Sequence, residues 1–296
     1  MPYNVEMESP EPRTIRAGDV ELAAWEWPGE GPALVFAHAT GFHGRVWDTI
    51  VRRFPGRRRV AIDHRGHGRS SKPAPPYLWP AFGNDLRAAV DALGLAGAIG
   101  IGHSMGGHTV AAAGEVFSAL LLIDPTIVPR NRYGERMPDV SFIRRRKNRW
   151  TSPSEMFERF HGRAPFSSWR TEILRDYCEH GLLPQGGHFV LACPPEVEAS
   201  IYEHARDASS DIYPAISQLE QPVTVVRSAV RGKPGVFDLS ASPTAPDLAS
   251  HFRDARDVCL EDRNHYIPMT SPEIVAEEIT RLLSRRTGSH AGSARL

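Results

Sequence analysis

Cysteine is scarce in this chain of 296 residues: only Cys178, Cys193 and Cys259, with no C-x-x-C pair. An odd, widely spaced set of three excludes a disulfide framework and a cysteine-built structural zinc site. Lysine is scarcer for its class, since only Lys72, Lys147 and Lys233 of the 35 basic residues are lysine, a skew that reads as codon bias. Net charge is missing altogether, with 35 basic residues against 35 acidic ones. Without an overall positive field the chain is a poor nucleic-acid ligand. No apolar run approaches the roughly 18 residues a membrane-spanning helix requires. The first ten residues, Met1 to Pro10, carry acid where a signal peptide carries base, and no apolar stretch follows. The expectation is a soluble cytoplasmic protein without nucleic-acid or membrane partners. Apolar residues at 41% and charged residues at 24% are ordinary for a globular chain, so wholesale disorder is excluded.

From Arg13 onward, short apolar runs alternate with helical patterns. Val20–Trp27 alternates in part, as a partly exposed strand does. Ala33–Ala37, Arg59–Ile62, Ala98–Ile101, Ala119–Ile123, Pro222–Val226 and Asp257–Leu260 are continuous runs, expected of strands covered on both faces. Helices are expected over Gly44–Phe54, Phe82–Leu93, Met105–Glu115, Pro246–Phe252 and Pro272–Leu283. This order implies an α/β fold with a mostly parallel, doubly wound sheet. The alternation breaks between Ile127 and Tyr213, where aromatics are scattered through helical stretches and no strong strand appears. The expected division is a core of residues 13–126 and 214–284, a helical lid over 127–213, and flexible tails at 1–12 and 285–296. The basic run Arg144–Arg149 reads as a solvated helix face, because nearby acids offset it.

Gly102-His-Ser104-Met-Gly106-Gly107 is a G-x-S-x-G lying between a buried strand and a helix. A nucleophile at such a sharp turn needs small neighbours two residues away, and the helix start aims backbone N–H groups at a developing oxyanion. A serine requires a base, and His265 follows the last expected strand on the edge that carries Ser104. The chain order Ser…acid…His asks for a carboxylate between them. Asp238, in the loop after Pro222–Val226, is the first choice; Asp124, at the end of Ala119–Ile123, is the alternative. His64-x-x-His67 lacks the further ligands a metal would need, and neither metal nor cofactor is expected.

With these motifs in this order, residues 30 to 284 resemble the α/β-hydrolase superfamily. His38-Ala-Thr40-Gly-Phe resembles its oxyanion loop, Asp63-His-Arg-Gly-His-Gly-Arg-Ser70 its D-x-R-G-x-G-x-S turn, and Leu122-Ile-Asp-Pro125 its post-elbow strand. The resemblance implies an α/β-hydrolase fold with a helical cap inserted after the sixth strand. It also implies that the N–H groups of Thr40 and Met105 form the oxyanion hole. Ala39 stands where the family usually has glycine, which leaves Thr40 or Gly41 open as the first donor. A serine at the elbow fits acyl transfer on a small, partly apolar substrate, with carboxylic-ester hydrolysis the first choice. A carbon–carbon bond hydrolase, a cofactor-free perhydrolase, and a ligand-binding member without turnover are the alternatives.

Overall fold

The computed structural model describes residues 8–137, 139–233 and 235–291. Its strands are β1 (Glu11–Ala17), β2 (Val20–Trp27), β3 (Glu30–Ala37), β4 (Arg57–Ile62), β5 (Ile99–His103), β6 (Ala119–Ile123), β7 (Leu182–Gln185), β8 (His188–Leu191), β9 (Val223–Ser228) and β10 (Ala255–Leu260). Eight of them form one sheet in the order β1-β2-β4-β3-β5-β6-β9-β10. β2 runs antiparallel to β1 and β4, and every other neighbouring pair is parallel.

Side chains alternate across a strand, so a strand covered on both faces must be apolar at every position. β3 shows why its run is continuous. Leu34 and Phe36 pack with Trp47, Ile50 and the C-terminal helix residues Val275 and Ile279. Val35 and Ala37 point the other way, onto Leu86 and Val90 of the helix Trp79–Ala92 and Val110 of the helix Met105–Ala112. Each fully buried side chain of this size contributes about 1.5–3 kcal/mol by leaving water.

The seven expected strands are all present, with helix boundaries shifted. The helix expected from Phe82 starts at Trp79, with Pro80 in its first turn. The segment expected as a helix over Gly44–Phe54 is a 3₁₀ turn running into one α-turn, and that over Pro246–Phe252 is a 3₁₀ turn at Leu248–His251. The last helix runs from Pro272 to Ala291, past the expected end at Leu283. β1 was not foreseen as a strand. It is an edge strand with only Ile15 and Ala17 buried, so the period-two signal is confined to its end.

The insertion after β6 holds helices Pro153–His161, Thr171–His180 and Pro195–Glu203. Ser152 caps the first of these, its Oγ accepting from the N–H of Glu155 at 3.0 Å, while the Glu155 carboxylate accepts from the N–H of Thr151 at 2.7 Å. Where no strong strand is expected, β7 and β8, four residues each, form a short antiparallel hairpin. Gly186 and Gly187 join them, both at positive φ, the backbone that a two-residue hairpin turn demands. The expected tails fall in part on residues 1–7 and 292–296, outside the described residues. Glu8 is ion-paired with buried Arg59 at 2.9 Å, and residues 285–291 continue the last helix.

Candidate active site

Ser104 joins β5 to the helix Met105–Ala112 at φ 57° and ψ −120°. For a non-glycine residue that backbone is strained by about 1–3 kcal/mol, and it lifts the side chain clear of the sheet edge. The flanking glycines are steric requirements. A Cβ on Gly102 would lie 2.2 Å from the carbonyl oxygen of Gly106, and one on Gly106 would lie 2.2 Å from that of Ala37. Gly162, at the end of a helix in the insertion, has open space where its Cβ would be. Gly106→Ala should therefore lose about 1–3 kcal/mol or more from overpacking, while Gly162→Ala stays near wild type. Thermal midpoints check this, and equal midpoints for the two variants would contradict the packing.

His265 follows β10. Its Nε2 lies 2.9 Å from Ser104 Oγ, and its Nδ1 lies 2.7 Å from Asp124 Oδ2. The first-choice acid is thereby corrected: the carboxylate against the imidazole is that of Asp124, not Asp238. The long loop after β9 does return to His265, but through the backbone, the N–H of His265 donating to the carbonyl of Ser240 at 3.0 Å. The exposed Asp238 carboxylate accepts from the N–H of Ser240 at 2.8 Å, a local turn bond. Asp124 sits directly at the end of β6, fully buried, at φ 40°. Its Oδ1 accepts from the Ser228 N–H at 3.1 Å, the Ser242 hydroxyl at 2.6 Å and the Thr244 hydroxyl at 3.1 Å. Burial pushes this carboxyl up, but the hydrogen bond and charge of His265 with those donors outweigh it. The carboxyl is held below its usual range.

Ser104, His265 and Asp124 thus form one hydrogen-bonded chain. Asp124 accepts only, so His265 Nδ1 carries the proton and Nε2 presents a lone pair to the serine hydroxyl. Thr126 was not singled out from the sequence; its Oγ1 lies 3.2 Å from Ser104 Oγ. His103 donates from Nε2 to the carbonyl of His265 at 2.8 Å, and burial lowers its pKa to about 3, so it stays neutral.

The loop after β3 carries the expected oxyanion donors. The N–H of Gly41 donates to His67 Nε2 at 3.0 Å and is occupied. Among the described residues, no acceptor is bonded to the N–H of Thr40 or Met105. The turn Asp63–Ser70 supports this loop, with Asp63 accepting from the N–H of Gly44 at 2.6 Å and of Arg69 at 2.9 Å. Local sequence gave no sign of the His67 contact, which spans 26 residues. The insertion touches the loop as well: a Cβ on Gly41 would lie 2.9 Å from Glu198 Oε1.

Above Ser104 lies a cavity of about 730 Å³, walled by Phe42, Trp150, Phe160, Phe166, Trp169 and Tyr177. Phe160 and Phe166 stack with ring centroids 4.3 Å apart. A second lobe of about 870 Å³ also reaches Ser104 and His265, along Thr126 and the loop after β9. The basic run is only partly a solvated face. Arg144 pairs with Glu196 at 2.9 Å and with Glu203. Arg146 and Lys147 instead line the first cavity, paired with Glu198 and Glu155. Among the described residues no helix is long and apolar enough to cross a membrane.

Residues 34–278 match the family model described as alpha/beta hydrolase family. The chain is 26% identical over 283 residues to 2-(acetamidomethylene)succinate hydrolase of Mesorhizobium japonicum, spanning 92% of this chain and 94% of that protein. It is 32% identical over 154 residues to a non-heme chloroperoxidase of Streptomyces lividans, about half of each chain at 51% and 52%. The crystal structure of E-2-(acetamidomethylene)succinate hydrolase superposes with a TM-score of 0.71 at 22% identity, over 93% of this chain and 99% of that one. An enol-lactonase from Burkholderia xenovorans gives 0.65 at 20%, over 92% and 100%. At these identities the superpositions speak for the fold alone.

Proposed function

The chain belongs to the alpha/beta hydrolase family, and from that premise we propose that it is a serine hydrolase cleaving a carboxylic ester or related acyl bond. The observation that carries this reading is the hydrogen-bonded chain from Asp124 through His265 to Ser104, at 2.7 and 2.9 Å. His265 Nε2 takes the hydroxyl proton as Ser104 Oγ attacks the substrate carbonyl. The N–H groups of Thr40 and Met105 receive the oxyanion, each such donor being worth about 3 kcal/mol in a water-poor site. The imidazolium, steadied by Asp124, gives its proton to the departing alcohol and leaves an acyl-enzyme. Water then repeats the sequence, His265 taking its proton, and the acid is released from Ser104. The insertion over residues 127–213 acts as a lid, and its aromatic wall covers an apolar part of the substrate.

A second reading uses the same acyl-enzyme. Hydrogen peroxide in place of water would give a peracid, and the likeness to the Streptomyces chloroperoxidase favours testing it. The first test is chemical: a fluorophosphonate should add one adduct mass to the intact protein, mapping to the Ser104 peptide. Ser104→Ala should remove it. No adduct, or one on another serine, overturns the proposal. Product analysis with an activated ester, with and without peroxide, separates the two readings, and absence of turnover would make the chain a ligand-binding member of its fold.

A further inference from the structure

The chain is neutral overall, yet the walls around Ser104 are not. The two cavity lobes together present nine basic side chains and three acidic ones. Some of that excess is cancelled locally. Arg146 pairs with Glu198, Lys147 with Glu155, and Arg132 and Arg206 share Glu135. Among the described residues, Arg136, Arg159, Arg163, Arg231 and Lys233 have no carboxylate partner. Among the described residues that line the lobes, Asp238 is the one acid without a cation partner. Arg159 belongs to the helix Pro153–His161, Arg163 follows that helix, and Arg231 comes from the loop after β9, so cations line the first cavity from two segments. Arg231 lines both lobes. Its Nη1 donates to the carbonyl of Thr244 at 2.6 Å, which holds the guanidinium in place beside both lobes.

A concave site with low-dielectric aromatic walls concentrates such an excess into a local positive potential. A guanidinium fork matches a carboxylate in shape as well as charge. We propose that the substrate carries a carboxylate remote from its scissile acyl bond, held at the mouth by Arg231 with Arg159 and Arg163. The aromatic wall covers the methylenes between the carboxylate and the bond. This rests on the serine-hydrolase reading.

The test compares 4-nitrophenyl hemiadipate with its methyl-capped neutral counterpart. The anionic ester should have kcat/KM about tenfold higher at low ionic strength, falling toward parity at about 0.5 M salt, where charges are screened within a few ångströms. Arg231→Gln, and the double variant Arg159→Gln/Arg163→Gln, should each lower the anionic-to-neutral ratio by about threefold or more. Without turnover, free adipate should slow fluorophosphonate labelling of Ser104 more than equimolar inorganic phosphate does. A ratio at or below one, with Ser104 still labelled and the neutral ester still cleaved, overturns the carboxylate inference and leaves the serine hydrolase standing. Protection by phosphate and not adipate also overturns it. No labelling and no cleavage of either ester overturns both.

Discussion

Asp124→Asn is expected to lower kcat for an activated ester by about 10³–10⁴-fold, whereas Asp238→Asn should lower it by less than about tenfold. The asymmetry follows from proton placement. Asp124 accepts from His265 Nδ1 at 2.7 Å, which fixes the tautomer whose Nε2 accepts the serine proton. An asparagine amide at position 124 can turn its NH₂ toward Nδ1 and reverse that tautomer, so Nε2 carries hydrogen and cannot act as a base. The imidazolium formed in the reaction would also lose its counter-charge. Asparagine suits the test, because it tolerates the φ of 40° and its remaining oxygen can still accept from Ser228, Ser242 and Thr244. Asp124→Ala would be less clean, since it strands those buried donors. Steady-state kinetics with circular dichroism on both asparagine variants checks the prediction. Comparable losses for the two, or a larger loss for Asp238→Asn, would return the acid's role to the loop after β9.

Why Ser104 and His265 were legible while the acid was not comes down to signal range. Ser104 announces itself through neighbours: Gly102 and Gly106 are there because a Cβ on either would strike backbone. His265 is located by order alone, as the histidine on the loop after the last strand. The acid depends on the register of a loop. Asp238 lies ten positions beyond the end of β9, and nothing local says whether such a loop returns by side chain or by backbone. It returns by the Ser240 carbonyl. Asp124 is followed by Pro125, and an Asp-Pro step at a strand end has a ready structural role that masks a catalytic one. A further signal was available: its immediate attachment to β6, the neighbour of β5, leaves it no loop in which to wander.

The fold was legible where burial is two-sided. β3, β5, β6 and β9 must be apolar at successive positions, and that pattern survives in sequence. The edge strand β1 buries only Ile15 and Ala17, and the hairpin β7–β8 is too short for a periodic pattern. Gly186-Gly187 was the available sign of the hairpin. Contacts such as Gly41 to His67, or Arg231 to Thr244, join segments brought together only by the finished fold.

Acidification should unfold this protein unusually early, with stability falling steeply below about pH 6.5. His43, His64, His67, His103 and His108 are all buried, and burial lowers their pKa values to about 3, 3, 4, 3 and 4. His38, 4.5 Å from His64 and 5.0 Å from His67 between ring centroids, is lowered by burial and by those neighbours too. Several of these rings leave one nitrogen without a partner, as neutral imidazole can: Nδ1 of His43, His103 and His108, and Nε2 of His64. In the unfolded chain each titrates near 6.5. Between that value and the folded value the unfolded state holds the extra proton, so stability is complete above about pH 6.5 and lost as pH falls. Each ring costs roughly 1 kcal/mol per pH unit, and at pH 5 five of them together cost on the order of 10 kcal/mol, comparable to the whole stability of a domain. Asp176 works the other way. Burial and the nearby Asp48 charge push its carboxyl up to about 7, which offsets about one histidine. Urea midpoints from pH 8 to pH 4.5 measure the slope. His108→Gln, whose amide can still donate to the carbonyl of Ser210, should reduce that slope by about one proton while leaving stability at pH 8 nearly unchanged. A midpoint flat between pH 7 and pH 5 would mean that the imidazoles take up protons without unfolding the core.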